Sequence, residues 1–153
     1  MSGAVPDPAA GARRMFALEP FMDYLGAKLT QVVPGRAEIR LAFRPELTQH
    51  DGFFHGGIVA TLADMAGGAA AYTRVPAGMG ALTVEIKINL LAPGVGEALV
   101  ARGEVLRAGK RLIVCRSDVF TVRAGQETHC ATGLMTLMVA ETPSAPATSG
   151  QTP

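Results

Sequence analysis

The segment at residues 55–73, HGGIVATLADMAGGAAAYT, constrains this chain more than any other. It carries one formal charge, Asp64, among Ile, Val, Leu, Met, Ala and Gly. A helix that is apolar all round has to be buried by what surrounds it, and its many small residues let a sheet approach closely. Alternating patterns elsewhere supply that sheet. Residues 37–43 alternate, and Leu82, Val84, Ile86, Ile88 and Leu90 are predicted to face one way while Thr83, Glu85, Lys87 and Asn89 face the other. Residues 97–106 and 111–122 flank an Ala-Gly-Lys turn, and residues 128–139 follow an Ala-Gly-Gln turn, so consecutive hairpins give an antiparallel meander. The expected class is α+β, a single long central helix wrapped by a curled antiparallel β-sheet.

One domain over residues 15–141 is expected, with residues 1–14 and 142–153 as flexible tails too poor in large apolar side chains to offset ordering. Within the domain, residues 15–27 read as a short irregular helix broken by Pro20. The 14 Lys and Arg against 13 Asp and Glu give a formal charge of +1, which argues against a nucleic-acid partner and against steering by bulk charge. No uninterrupted apolar run is long enough for a membrane span or a secretion signal. Cys115 and Cys130 sit in apolar runs and read as reduced core residues, which fits a cytoplasmic protein. His50, His55, His129 and Cys130 match no zinc spacing, so neither a metal nor another cofactor is expected.

A carboxylate alone in a buried helix must be paired, hydrogen-bonded, or poised beside a ligand cavity. Asp64 could simply bond a neighbouring strand, but the residues before it point elsewhere. Gln49-His50-Asp51-Gly52-Phe53-Phe54-His55-Gly56-Gly57 leads into the helix, and adjacent glycines at a helix start leave backbone N–H groups unshielded. With the helix dipole behind them, such amides suit a developing oxyanion. The alternative is that Gly56 and Gly57 admit a close-packed strand. Gly56 and Asp64 are eight residues apart, roughly 12 Å along a helix axis, too far for one carbonyl to meet both. If both serve one reaction they come from different chains, and two antiparallel helices about a two-fold axis would make two equivalent sites in an obligate homodimer.

At these residues the sequence resembles the phenylacetyl-CoA thioesterase (PaaI-like) branch of the hotdog superfamily. The family pattern is a polar amide, then His-Gly-Gly, then an acid eight positions beyond the first Gly, seen here as Gln49, His55-Gly56-Gly57 and Asp64. The similarity extends through Leu62-Ala63, residues 82–94 and Gly109-Lys110-Arg111. It implies a hotdog fold and hydrolysis of an aryl- or medium-chain acyl-CoA to free acid and coenzyme A. Asp64 would be the nucleophile or general base, the Gly56 amide would polarise the carbonyl from the partner subunit, His55 would shape the loop and contact the thioester or else serve as a structural cap, and Thr83 would orient water. The branch more often has Asn where Gln49 stands, while a related class acting on 4-hydroxybenzoyl-CoA pairs Gln with Glu. This mixture leaves nucleophile and base both open. The expected partners are the acyl-CoA substrate and further copies of the chain, a homodimer assembling to a homotetramer.

Arg107, Lys110 and Arg111 cluster at the Ala108-Gly109 turn and are candidates for the phosphates of coenzyme A. Phe53, Phe54, Met65, Tyr72 and Met79 are candidates for the acyl pocket. The competing function is a non-catalytic acyl-CoA-binding sensor on the same fold, although binding alone needs no buried acid.

Overall fold

In the computed structural model, which describes residues 7–141, the first element begins where the sequence offers a cap. The Asp7 side chain accepts from the Ala9 N–H at 2.9 Å, and Pro8 takes the first position of α1 (Pro8–Ala17). Residues 8–14 are therefore helix, not tail. Ala9 and Ala12 are buried against Val32, Ala37, Ala69 and Ala70. The tail expectation failed because these contacts use small residues at close approach rather than large apolar ones; a Cβ on Gly11 would lie 3.3 Å from the Tyr72 carbonyl oxygen. The remaining tail residues, 1–6 and 142–153, lie outside the described residues.

Pro20 starts α2 (Pro20–Leu25), so the predicted irregular helix is two helices with the proline at their junction. The strands are β1 (Lys28–Val33), β2 (Arg36–Ala42), β3 (Met79–Leu90), β4 (Ala98–Ala108), β5 (Leu112–Arg123) and β6 (Gln126–Glu141), with α3 (Gly56–Tyr72) between β2 and β3. The expected meander is β4-β5-β6, inside an antiparallel six-stranded sheet ordered β1-β2-β4-β5-β6-β3. Strand β1 carried no alternation strong enough to be singled out. The sheet curls around α3 without closing, so β1 and β3 are its two edges.

The core forms where α3 lies on the concave face. Leu62, Ala63 and Ala66 are fully buried with Ile39, Leu99, Ala101 and Val119. Contact is close enough to dictate glycine at 103 on β4, where a Cβ would sit 2.1 Å from the Ala66 carbonyl oxygen and 2.7 Å from the Gly67 nitrogen. Both atoms are helix backbone and cannot rotate away. Gly103→Ala is expected to destabilise the fold by about 1–3 kcal/mol, read as a lower denaturant midpoint, because the helix must lift off the sheet.

Cys115 and Cys130 are free and buried, and burial pushes their thiols up to about 12 and about 11. On the outer face, Arg102 bonds Glu127 on β6 at 2.6 Å and Glu38 on β2 at 2.8 Å, and the guanidinium holds the Glu127 carboxyl below its ordinary range. This network is exposed and contributes little to stability.

Strand β3 does not alternate strictly as its sequence predicts. Its register jumps between Thr83 and Glu85, so Thr83 lies opposite Leu137 and Ile86 opposite Met135. Leu137 and Met135 are both buried, and cross-strand partners share a face. Thr83 and Ile86 therefore both face the helix, which a strict alternation forbids; a bulge at Val84 absorbs the extra residue.

Candidate active site

Asp64 lies on the one stripe of α3 that the sheet does not cover. Gly57, Thr61, Asp64 and Gly68 follow one another at helical spacing and are partly or fully exposed, so α3 is not buried all round within a protomer. The Asp64 carboxylate is half-buried, and its Oδ1 accepts a hydrogen bond from the Thr83 hydroxyl at 2.9 Å. The β3 bulge makes that contact possible by turning Thr83 toward the helix. The other carboxylate oxygen has no partner among the described residues. The hydroxyl of Thr83, the residue that the resemblance assigns to orienting water, thus also orients the acid.

At the start of α3, the extended backbone of His55 makes it the N-cap, and its Nδ1 accepts from the Gly57 N–H at 2.9 Å. Of the two roles open to His55, the structure displays the cap. Because Gly57 is occupied, the Gly56 N–H is left as the helix-start amide with no acceptor among the described residues. It adds to the positive end of the 17-residue helix. A Cβ at Gly56 would press on Leu90 Cδ1 at 3.0 Å, so the bare backbone also keeps the approach to this amide clear.

Gly56 and Asp64 open into different clefts. The first, about 480 Å³, is lined by Gln49, Phe53, Gly56 and the segment Leu90-Leu91-Ala92-Pro93-Gly94. The second, about 300 Å³, is lined by Asp64, Met65, Gly68, Tyr72 and Thr83, with Met15 and Glu19 closing it from the N-terminal side. No residue is common to both. Gln49 lies with Gly56, and its side-chain oxygen accepts from the Asp51 N–H. Of the candidate catalytic residues, the structure brings together Gln49 with Gly56 and Asp64 with Thr83.

The pocket candidates divide in the same way. Phe53 lines the first cleft, while Phe54 borders it mainly as a core residue, 3% exposed and edge-on to Phe43 at 5.4 Å. Met65 and Tyr72 line the second cleft, and the Tyr72 hydroxyl accepts from the Ala81 N–H at 3.2 Å. Met79 lies apart, in an adjoining groove of about 420 Å³ that shares Met15, Glu19 and Tyr72 with the second cleft. Met15 and Glu19 escaped the sequence reading because nothing in the pattern of residues 8–19 says which surface α1 covers. Arg107, Lys110 and Arg111 are exposed at the β4–β5 turn and form no ion pair among the described residues. They sit at the sheet end where the Val139 N–H donates to the Arg111 carbonyl and Val139 faces Ala81, close to Thr83. Among the described residues no group of three His, Cys, Asp or Glu side chains converges as a metal site would require, and no helix is long and apolar enough to cross a membrane.

A carboxylate oriented by a hydroxyl, and a free amide at a helix start, are the parts of an acyl-transfer site. Comparison with known proteins agrees. The family model described as the thioesterase superfamily matches residues 51–127, half of the chain, from the loop before α3 into β6. The chain belongs to the thioesterase superfamily. A crystal structure of a thioesterase family protein from Silicibacter pomeroyi matches at 38% identity with a TM-score of 0.86, covering 88% of this chain and 99% of that one. A Bacillus halodurans protein whose crystal structure was determined with CoA matches at 27% identity and a TM-score of 0.71, over 87% of this chain and 83% of its own. The E. coli PaaI protein from the phenylacetic acid degradation operon shares the fold at 22% identity and a TM-score of 0.76, over 86% of this chain and 92% of its own. The architecture of this thioesterase is the hotdog fold that the resemblance implied. The protein is a hydrolase of thioesters.

Proposed function

We propose that this thioesterase hydrolyses acyl-CoA, aryl or medium-chain in its acyl part, at sites shared between the two protomers of a homodimer. The observation that carries the reading is the separation of Gly56 from Asp64 into clefts with no residue in common. One protomer supplies Gln49 and the Gly56 amide; the other supplies Asp64 held by Thr83. The amide stabilises charge on the carbonyl oxygen as the tetrahedral intermediate forms. Either the free Asp64 oxygen draws a proton from water that attacks the carbonyl, or it attacks the carbonyl itself and forms a mixed anhydride that water then cleaves to free acid and the restored carboxylate; in both routes coenzyme A leaves as the thiolate. Label found in Asp64 after a single turnover in H₂¹⁸O identifies the nucleophilic route, with water opening the anhydride at the Asp64 carbonyl.

The edge of the sheet supports the dimer. Leu82, Val84, Ile86 and Leu90 on edge strand β3 are each more than 40% exposed, and an apolar unpaired edge is a surface that needs covering. Two such dimers could associate as a tetramer without altering the sites. The buried reduced thiols fit a cytoplasmic setting. Arg107, Lys110 and Arg111 supply cations for the coenzyme A phosphates.

The test is free-thiol release from short, medium, long and aryl acyl-CoAs. Saturable binding with no release from any of them would replace the enzyme by the acyl-CoA sensor. Repeating the panel on N-acetylcysteamine thioesters, which lack the phosphates, tests the cationic turn; an equal KM for both series removes it from the reading.

A further inference from the structure

Two adjacent glycines stand in the middle of α3, and they are there for different reasons. A Cβ on Gly67 would lie 2.0 Å from Met135 Sδ, inside the core, so packing dictates that glycine. A Cβ on Gly68 would meet nothing within 4 Å. Glycine inside a helix weakens it relative to alanine, and here no neighbour requires it. What Gly68 borders is the Asp64 cleft. It lies four residues beyond Asp64, one turn along the same face, and lines the cleft of about 300 Å³ with Met65, Tyr72 and Leu137. The open space continues past Met15, Glu19 and Tyr72 into the adjoining groove of about 420 Å³ between α1 and residues 75–79. Starting at Asp64, there is thus a trough along α3, and Gly68 is the first point after the carboxylate at which a side chain would obstruct it.

We infer that Gly68 is the specificity-determining residue of this thioesterase, keeping open the path by which the acyl group leaves the reacting carbonyl. The acyl group passes over Gly68 and lies between α3 and Met15. The trough suits an acyl part larger than acetyl, with Tyr72 marking the passage into the outer groove. This rests on the acyl-CoA hydrolysis proposed above and adds to it the residue that sets acyl size.

The experiment compares wild type, Gly68→Ala and Gly68→Leu on acetyl-CoA, octanoyl-CoA and phenylacetyl-CoA, with melting curves and sedimentation alongside. Gly68→Ala is expected to melt no lower than wild type, because alanine favours the helix and has room. Gly68→Leu is expected to lower kcat/KM for octanoyl-CoA and phenylacetyl-CoA by about tenfold or more, with acetyl-CoA turnover kept and the dimer intact. Equal loss on all three substrates would overturn the inference, since Gly68 would then act through Asp64 and not on the acyl group. Dissociation of the dimer would also overturn it, by assigning the open space to the partner subunit. A wild-type enzyme most active on acetyl-CoA would do the same. Those outcomes leave acyl-CoA hydrolysis standing; wild-type protein that releases no thiol from any substrate defeats that underlying reading instead.

Discussion

Asp64→Asn is expected to lower the single-turnover rate of thioester hydrolysis by about 10²–10⁴-fold while leaving the fold and the affinity for coenzyme A near those of wild type. Asparagine has nearly the same volume as aspartate, and its side-chain oxygen can still accept the Thr83 hydroxyl that now bonds Asp64 Oδ1 at 2.9 Å. What it loses is a charged oxygen able to attack a carbonyl or take a proton from water. The half-buried setting makes the substitution mild structurally, because no buried charge loses a partner. Stopped-flow thiol release with excess enzyme measures the chemical step, and titration with coenzyme A measures binding. A variant within tenfold of wild type would show that Asp64 is a structural acid, and the attacking group would have to be sought elsewhere.

How much of this could be read from the chain depended on whether a residue's role was local. The helix start was legible because capping is a short-range matter: His55, Gly56 and Gly57 fix which amide is satisfied and which is left free within three residues. The long helix, the β4-β5-β6 hairpins and the acid on α3 were legible from period and turn chemistry alone. Two things were not. Alternation along β3 placed Thr83 on the side opposite Ile86, and only cross-strand register reveals the bulge that turns it toward Asp64. Likewise α1 is built from residues too small to announce a buried face, yet Ala9 and Ala12 anchor it and Met15 reaches the Asp64 cleft. Both misses arise from long-range packing overriding a local pattern, and both fall beside the site. The candidate pocket was dispersed for the same reason: Phe53, Tyr72 and Met79 are apolar residues near the right segments, but the fold places Phe53 in the Gly56 cleft and Tyr72 and Met79 along the trough that leads away from Asp64.

Cross-subunit assembly makes the strongest demand on activity, because two inactive variants should restore one another. Gly56→Pro removes the proposed oxyanion donor with little strain: proline is favoured at the first helical position, and the preceding His55, at φ −61 and ψ 137, already has the extended backbone that proline requires of its neighbour. Its Cβ would press on the tip of Leu90, a flexible side-chain end. Alone, this variant should lose about 10²–10³-fold in kcat. Co-expressed with Asp64→Ala, it can form a mixed dimer. If each site takes Gly56 from one chain and Asp64 from the other, the mixed dimer has one doubly defective site and one intact site. Random pairing then makes half the dimers mixed and restores about a quarter of wild-type turnover. If Gly56 and Asp64 of one chain served the same site, every site in the mixed dimer would carry a defect and turnover would stay at the level of the single variants. Differently tagged chains, purified through both tags, isolate the mixed dimer and raise the expected value to about half. The proposed shared site, which rests on the eight-residue spacing and the two separate clefts, predicts the first outcome; a tandem-purified mixed dimer without activity would return the whole site to a single chain.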